Sequence, residues 1–339
     1  MRNCAHGSKT ASPKSGIMSD FVCATFMLTG ILCALGAGLM WGLVFLTPVM
    51  LPDYPGIVLS FGRYIAFGLI ALVPAWLGRK EIAALSRAQW WVAFRLSLVG
   101  NLLYYAALAS AIQLSGAPLP TLLIGTLPVV ITMASNFAPG RAADAVAWRR
   151  LLPALAVIGT GLLLVNAAEL EQLDGNRSLT QYLQGCALAL LALAAWTWYP
   201  IRNARFMQQH PQIRSSTWAT AQGLAMLPVV LPGFVLYGAI AHVSGASYAF
   251  PLGPRPALFV GMMLLIGLCA SWLGTMLWNH ASARLPTSLA GQLIVFETLS
   301  ALAYAFLWRA AVPSAQVLAG IALLIVGVIL AIRTFRRPA

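Results

Sequence analysis

Charged residues are scarce in this sequence. They make up 9% of the chain and hydrophobic residues 60%, whereas soluble domains average about 25% charged and 45–50% apolar residues. Between the apolar stretches there is no polar segment long enough to form a water-soluble domain. The composition therefore excludes a soluble globular protein and indicates a protein embedded in a membrane.

Patterns that bind metals or form redox centres are also missing. The five cysteines include no CxxC pair, and most lie in apolar segments, where cysteine behaves as a small hydrophobic residue. The net charge of +13 is spread over short connections, whereas nucleic-acid binding needs a basic patch on one water-exposed face. We predict no metal, no cofactor and no nucleic-acid partner.

Groups for intramembrane catalysis are not assembled either. A protease or acyltransferase would need a nucleophile with a base, two carboxylates, or metal-spaced histidines within the spans. Of the eight carboxylates only Glu297 lies well inside an apolar stretch, and the four histidines lie outside these stretches or at their ends. The sequence therefore argues against an enzyme, and leaves a channel or a lipid-moving protein as the alternative to a transporter.

Ten apolar stretches fill the rest of the chain. Crossing about 30 Å of hydrocarbon takes about 20 helical residues, and no alternating strand pattern is present, so the predicted class is an all-α integral membrane protein. A polar extension over residues 1–23 precedes the spans and is expected to be disordered. The spans are predicted near residues 24–50, 55–78, 89–112, 116–138, 148–168, 180–203, 216–240, 257–281, 286–309 and 312–334.

The basic residues alternate between the two sides of this predicted topology. With a cytoplasmic N-terminus, the outer connections receive only Arg177, Arg255 and Arg309. This asymmetry follows the positive-inside rule and predicts a multi-pass protein of the cell (inner) membrane with both termini in the cytoplasm. The inner side then collects Arg2, Lys9, Lys14, Arg79, Lys80, Arg87, Arg141, Arg149, Arg150, Arg202, Arg205, Arg214, Arg284, Arg333, Arg336 and Arg337.

The two halves of the chain are related by an offset of about 166 residues. Leu119-Pro120-Thr121 aligns with Leu285-Pro286-Thr287, and Gly161 aligns with Gly327 at the same offset. A repeat of five spans crosses the membrane an odd number of times. Residues 180–334 would therefore enter the membrane from the opposite side to residues 24–168. Inverted repeats of this kind build secondary transporters that bind a small molecule near the midplane. The alternative is a duplication that only enlarged the bundle.

A series of short motifs follows the predicted spans in order. The motifs are Gly38-Leu39-Met40-Trp41-Gly42, Arg63-Tyr64, Tyr104-Tyr105-Ala106-Ala107-Leu108, Ala117-Pro118-Leu119 with Leu127-Pro128-Val129, Trp196 with Tyr199, and Phe296-Glu297. Their order resembles that of the EamA-type branch of the drug/metabolite transporter superfamily, from about residue 24 to residue 334. The resemblance implies two inverted five-helix repeats that export metabolites such as amino acids, or drugs. In one departure, Thr298 follows Glu297 where the family often has proline.

Two charged residues within the spans are the first candidates for a substrate or coupling site. A carboxylate at the depth of Glu297 costs about 2.5–3.5 kcal/mol on insertion scales, so it should face the bundle interior and find a partner. It either binds a substrate cation or proton, or anchors two helices. Arg63 either pairs with Glu297 or binds a substrate carboxylate, whereas Arg95 lies near the cytoplasmic end, where its side chain can snorkel to the surface.

Uncharged side chains complete the candidate set. Asn101 and Gln292 can hydrogen-bond a substrate or a neighbouring helix, an interaction worth about 0.6–2 kcal/mol in membranes. His280, at the inner end of the eighth span, can relay protons or serve a structural role. Aromatic residues deep in the spans suit a cavity for an amphipathic or cationic solute, or else they face lipid or pack in the core. These aromatic candidates are Trp41, Tyr104, Tyr105 and Trp196.

Overall fold

The computed structural model describes residues 13–116, 118–136, 148–170, 178–245, 248–310 and 312–336. These residues form helices and short connections and contain no strand, which confirms the all-α prediction. The helical segments are α1 (Pro13–Met50), α2 (Gly56–Leu77), α3 (Arg87–Ser97, Leu98–Leu103 and Tyr104–Ser115), α4 (Pro118–Gly125 and Leu127–Asn136), α5 (Trp148–Leu170), α6 (Leu179–Gln209), α7 (Ser215–Val243), α8 (Pro256–Ile266, Gly267–Leu273 and Gly274–Arg284), α9 (Thr287–Leu293 and Val295–Arg309) and α10 (Ala315–Arg336), with a short helix Arg79–Ala83 between α2 and α3.

Eight of these segments contain a stretch that is long and apolar enough to cross a membrane. They are α1, α2, α3, α6, α7, α8, α9 and α10. Large apolar side chains such as Val73, Trp76 and Leu77 are more than 60% exposed on the outside of the bundle, which suits a hydrocarbon solvent. Because α4 and α5 are not among the eight within the described residues, the count of ten spans stays a prediction.

The first helix begins earlier in the chain than the sequence pattern predicts. It starts at Pro13 rather than near residue 24, and proline is well tolerated in the first turn of a helix because its missing N–H would be unpaired there anyway. Part of the segment expected to be disordered is therefore helical. Residues 1–12 lie outside the described part of the chain.

Segments α3 and α8 both contain a stretch of π-helix in the middle. The stretches are Leu98–Leu103 and Gly267–Leu273, and such wider turns often mark functional sites because they redirect side chains. Gly100, in the first stretch, lies directly against the ring of Tyr199 on α6. The sequence pattern did not predict either stretch.

Segments α4 and α9 are each interrupted once. The interruptions are at Thr126 and Ile294, and the amide of Glu297 donates to the carbonyl of Ile294 over 2.9 Å. The division of α9 thus occurs although Thr298 stands where the related proteins often have proline. It directs the start of the second piece of α9, with Glu297, into the bundle.

The helices pack mainly in pairs that join the two halves of the chain. Close pairs are α5 with α10, α2 with α7, α4 with α9, α3 with α6, and α1 with both α8 and α9. Small residues allow these approaches; a Cβ on Gly42 of α1 would lie 2.6 Å from Cβ of Ser300 on α9. Aromatic side chains of α1, α3, α6 and α8 contact one another where these four helices meet.

Candidate functional site

Glu297 lies in the bundle interior, as its position within an apolar stretch predicted. Its side chain is 3% exposed, and Gly38 of α1 packs so closely that a Cβ there would lie 3.0 Å from the Glu297 backbone nitrogen. The Oε2 atom is buried and has no hydrogen-bond partner among the described residues. Burying an unpaired carboxylate is costly. This oxygen is therefore suited to bind a proton, a cation or an N–H donor.

Arg63 is the second buried charge, on α2, and it is 4% exposed. Its Nε donates to Oγ of Ser271 in the π-helical stretch of α8 over 2.9 Å. The guanidinium carbon lies 4.7 Å from the ring centroid of Tyr105 and 5.0 Å from that of Tyr64. One end of the guanidinium, Nη1, is buried without a hydrogen-bond partner in the described structure.

The two buried charges act on each other through space but do not form a direct ion pair. Arg63 is the charged group with an electrostatic effect on Glu297, yet the ion pairs found among the described residues join other side chains. Pairing with Glu297, one of the two alternatives for Arg63, is therefore not present as an ion pair among the described residues. Each retains an unpaired polar atom that can bind an opposite charge.

Aromatic side chains from four helices form a cluster at the centre. Tyr104 stacks on Trp196 with ring centroids 4.6 Å apart, and Trp196 stacks on Tyr199 at 5.2 Å. Trp41 meets Trp196 edge-on at 4.9 Å and Trp278 at 5.2 Å. We call these five residues the aromatic cluster. Glu297 also has an electrostatic effect on Tyr104, so the carboxylate lies next to the aromatic cluster.

Unpaired polar atoms concentrate in and around this cluster. In folded proteins roughly 90% or more of buried polar groups find a partner. Here the described structure leaves the indole N–H of Trp196 and Trp278, the hydroxyls of Tyr64 and Tyr104, the amide nitrogen of Asn101 and both amide atoms of Gln292 buried without one. Such a set of donors and acceptors fits a polar solute or water better than it fits a closed core.

The structure brings most of the predicted site residues together. Trp41, Tyr104 and Trp196 form the cluster, and Tyr105 contacts Arg63. His280 lies apart from them: it lines a cavity of about 490 Å³ near the end of α8, together with Arg284, and none of the aromatic cluster lines that cavity.

Sequence reasoning missed two parts of the site, both on α8. Trp278 joins the aromatic cluster and Ser271 holds Arg63. A pattern that points to them is the row of polar residues at helical spacing, Ser271, Thr275, Asn279 and Ser282, all of which are buried. Such a row indicates an inward-facing polar stripe rather than a lipid-facing one.

A hydrogen-bonded network extends from the cluster along α6, α7 and α8. The Tyr199 hydroxyl donates to Oε1 of Gln222 over 3.1 Å, and the Gln222 amide reaches Oδ1 of Asn203 at 3.4 Å. Asn203 in turn donates to Oδ1 of Asn279 over 2.8 Å. These contacts between helices give Gln222 and Asn279 a structural role.

The fold and this centre together define a multi-span membrane protein with buried polar and charged groups at its centre. The model of the EamA-like transporter family matches residues 28–165. The inner membrane protein YtfF of Escherichia coli (strain K12) is 46% identical over 307 residues, which cover 91% of this chain and 96% of that protein. A solved crystal structure of a protein at 18% identity superposes with a TM-score of 0.66 over 91% of this chain and 99% of its own, which shows the same fold.

The chain therefore belongs to the EamA-like transporter family, within the drug/metabolite transporter superfamily. The resemblance read from the short motifs is confirmed. Family membership identifies a membrane transporter rather than an enzyme.

Proposed function

We propose that this protein is a secondary transporter that exports a small amino-acid-like or cationic, amphipathic metabolite across the inner membrane by alternating access. The observation that carries the proposal is the pair of buried charges, Glu297 and Arg63, each with an unpaired polar atom next to the aromatic cluster. Charged groups at this depth mark substrate or ion pathways in membrane proteins.

The chemistry of the centre favours a substrate with an ammonium group. A carboxylate and the faces of tryptophan and tyrosine rings both attract a cation, and a cation over an aromatic face gains about 0.5–2 kcal/mol. Arg63 offers the opposite charge, so an amino acid can bind with its ammonium group at Glu297 and its carboxylate at Arg63. A cationic amphipathic compound would use Glu297 and the aromatic cluster alone.

Several features support two inverted repeats over residues 24–168 and 180–334. The helices in equivalent positions of the two halves pack on each other: α2 on α7, α4 on α9 and α5 on α10. The close pair α3 and α6 has its counterpart in α8 and α1. Both third helices contain a π-helical stretch, and both fourth segments are interrupted, at Thr126 and Ile294. This pattern suits a pseudo-two-fold axis in the membrane plane, and rocking one repeat against the other would alternate access.

The proposed topology has both termini in the cytoplasm. Single cysteines at positions 10 and 339 should be shielded from a membrane-impermeant thiol reagent in intact cells, and one at position 174 should react. These positions lie outside the described residues. The opposite labelling would reverse the orientation.

The transport proposal is tested by counterflow of the purified protein in liposomes against a panel of amino acids, nucleosides and cationic drugs. We expect saturable counterflow of at least one compound with an ammonium group, and at least tenfold slower counterflow in liposomes that hold the Glu297→Gln variant. An ionic current without counterflow would instead indicate a channel. Redistribution of labelled lipid between leaflets would indicate a lipid-moving protein.

A further inference from the structure

Two ion pairs are found in the described part of the chain, and both join its two halves. Nη2 of Arg255 lies 2.7 Å from Oδ2 of Asp53. Nη1 of Arg214 lies 2.9 Å from Oε1 of Glu81. In both pairs the acid belongs to the first half of the chain and the arginine to the second.

The pairs lie at opposite ends of the same two packed helices. Asp53 precedes α2 and Glu81 follows it, so the length of α2 separates the two acids. Arg214 precedes α7 and Arg255 follows it. Because α2 and α7 pack on each other, one ion pair closes each end of this helix pair. In the proposed repeat, the connection between α1 and α2 is equivalent to that between α6 and α7, so the two ion pairs occupy equivalent places.

Neutral contacts reinforce the pair at the Asp53 end. The Tyr54 hydroxyl accepts from the Arg255 amide over 2.8 Å and donates to the Leu252 carbonyl over 2.8 Å. The Tyr54 ring is fully buried and stacks on Phe259 of α8 with centroids 4.9 Å apart. The connection before α2 is thereby held against the connection before α8.

The pair at the Glu81 end is reinforced in a similar way. The Thr217 hydroxyl of α7 donates to Oε2 of Glu81 over 2.5 Å, so both carboxylate oxygens bind the second half of the chain. The short helix Arg79–Ala83, which carries Glu81, is thereby held against the start of α7.

We propose that Asp53–Arg255 and Glu81–Arg214 are two latches that close the opposite ends of the transport path, and that the structure has both latches closed. This inference rests on the proposed alternating access, since each latch has to break when its own end opens. All four side chains are at least 38% exposed. Exposed ion pairs are weak because water and salt screen them, which suits contacts that break and re-form in every cycle.

The test measures distances across each end with pairs of spin labels, so it needs no substrate. Label pairs at Val49 with Ala249 and at Ala84 with Gln212 report on the Asp53 end and the Glu81 end. All four positions are exposed, and the labels are attached to introduced cysteines in a full-length chain whose five native cysteines are replaced. The protein is reconstituted in lipid nanodiscs.

Charge reversals should open one end at a time. Arg255→Asp places two acids together and should at least double the long-distance fraction for the pair 49 and 249, without widening the pair 84 and 212. Glu81→Arg should do the converse. The exchange of both charges, Asp53→Arg with Arg255→Asp, should restore the distances of the parent protein. Arg205→Asp, which makes the same change in net charge as Arg255→Asp at an exposed position of α6, should leave both distances unchanged.

The outcomes separate the latches from the transport proposal. Unchanged distances at the mutated end, or equal widening of both ends by either variant, would overturn the latch assignment. A thermal unfolding midpoint within a few degrees of the parent in each variant excludes loss of the fold as the cause of widening. If the ends open singly but no compound of the panel shows counterflow, the latches stand and the proposed substrate class fails.

Discussion

Trp196 stacks on Tyr104 with ring centroids 4.6 Å apart, while its buried indole N–H lies near Glu297 and makes no hydrogen bond of ordinary geometry in the described structure. The ring and the N–H therefore have separable roles. Trp196→Phe keeps an aromatic face and removes the donor, so if the donor binds substrate we expect KM for counterflow to rise about twofold to tenfold, the value of one hydrogen bond of about 0.5–1.5 kcal/mol.

The matched control for this change is Trp91→Phe. Trp91 also stacks on an aromatic ring, that of Phe94 at 5.3 Å, but it is 57% exposed on the bundle surface. Its replacement should leave KM unchanged. Equal effects of the two substitutions would assign the Trp196 change to general packing.

Arg63 and Glu297 act on each other without a direct ion pair, and this predicts how their substitutions combine. Arg63→Gln should lower kcat/KM for a zwitterionic substrate. Because each residue binds its own end of the substrate, the loss of transition-state stabilisation in the double variant with Glu297→Gln should be about the sum of the two single losses. A double variant no worse than the worse single variant would instead indicate direct coupling. Arg95→Gln, at an exposed arginine of α3, is the control and should transport normally.

The sequence predicted the class and the main candidates because those depend on local patterns. Glu297 is a lone carboxylate in an apolar stretch, so its burial followed from its position. For Trp41 and Trp196, position alone left a lipid-facing place open, and the structure shows both buried. The hydrophobic runs also predicted the first residues of α2 and α6 to within a few positions.

The parts that could not be predicted depend on contacts between distant residues. The ion pair of Asp53 with Arg255 and the bond of Arg63 with Ser271 join helices far apart in sequence. The π-helical stretch Leu98–Leu103 contains Gly100, which packs against Tyr199 of α6, a residue distant in sequence. To place Trp278 in the aromatic cluster, one must know which face of α8 is buried. Mean hydropathy does not report this.

The amide network makes a prediction about stability. Asn203 is fully buried, donates to Asn279 and accepts from the indole N–H of Trp218 over 3.0 Å. Asn203→Ala removes the partner of Asn279 Oδ1 and of the Trp218 N–H, so we expect a loss of about 1–3 kcal/mol in the free energy of unfolding, measured by denaturant titration in detergent micelles. Gln209→Ala, at the exposed end of α6, should change it little. A similar loss in both variants would contradict the role given to the network.

Two glycines, Gly42 and Gly261, differ in how closely neighbouring atoms approach them. A Cβ on Gly42 would lie 2.6 Å from Ser300 Cβ and 2.7 Å from the Ala301 amide nitrogen, whereas nothing lies within 4 Å of one on Gly261. Gly42→Ala should therefore separate α1 from α9 and cost about 1–3 kcal/mol, as overpacked sites do. Gly261→Ala should be neutral or stabilise α8 by up to about 1 kcal/mol. The thermal unfolding midpoints of both variants check this, and equal midpoints would refute it.

Glu297 gives the most direct test of the transport mechanism. Its Oε2 has no partner in the described structure, so Glu297→Gln breaks no mapped contact of that atom, keeps the shape of the side chain and removes the charge and the titratable proton. We expect the variant to fold with a thermal unfolding midpoint close to that of the parent. Counterflow of an ammonium substrate should fall at least tenfold, because the charge that binds the cation is gone.

The pH dependence then separates substrate binding from proton coupling. If the carboxylate exchanges a proton for the substrate in each cycle, uptake driven by a pH gradient should be present in the parent protein and absent in Glu297→Gln, and any residual counterflow of the variant should not vary with pH. A variant that transports at the parent rate with the parent pH dependence would remove Glu297 from the site, because a residue that only anchors two helices is served equally well by the amide. An unstable variant would point the same way, since it would mean that the charge itself holds the fold together.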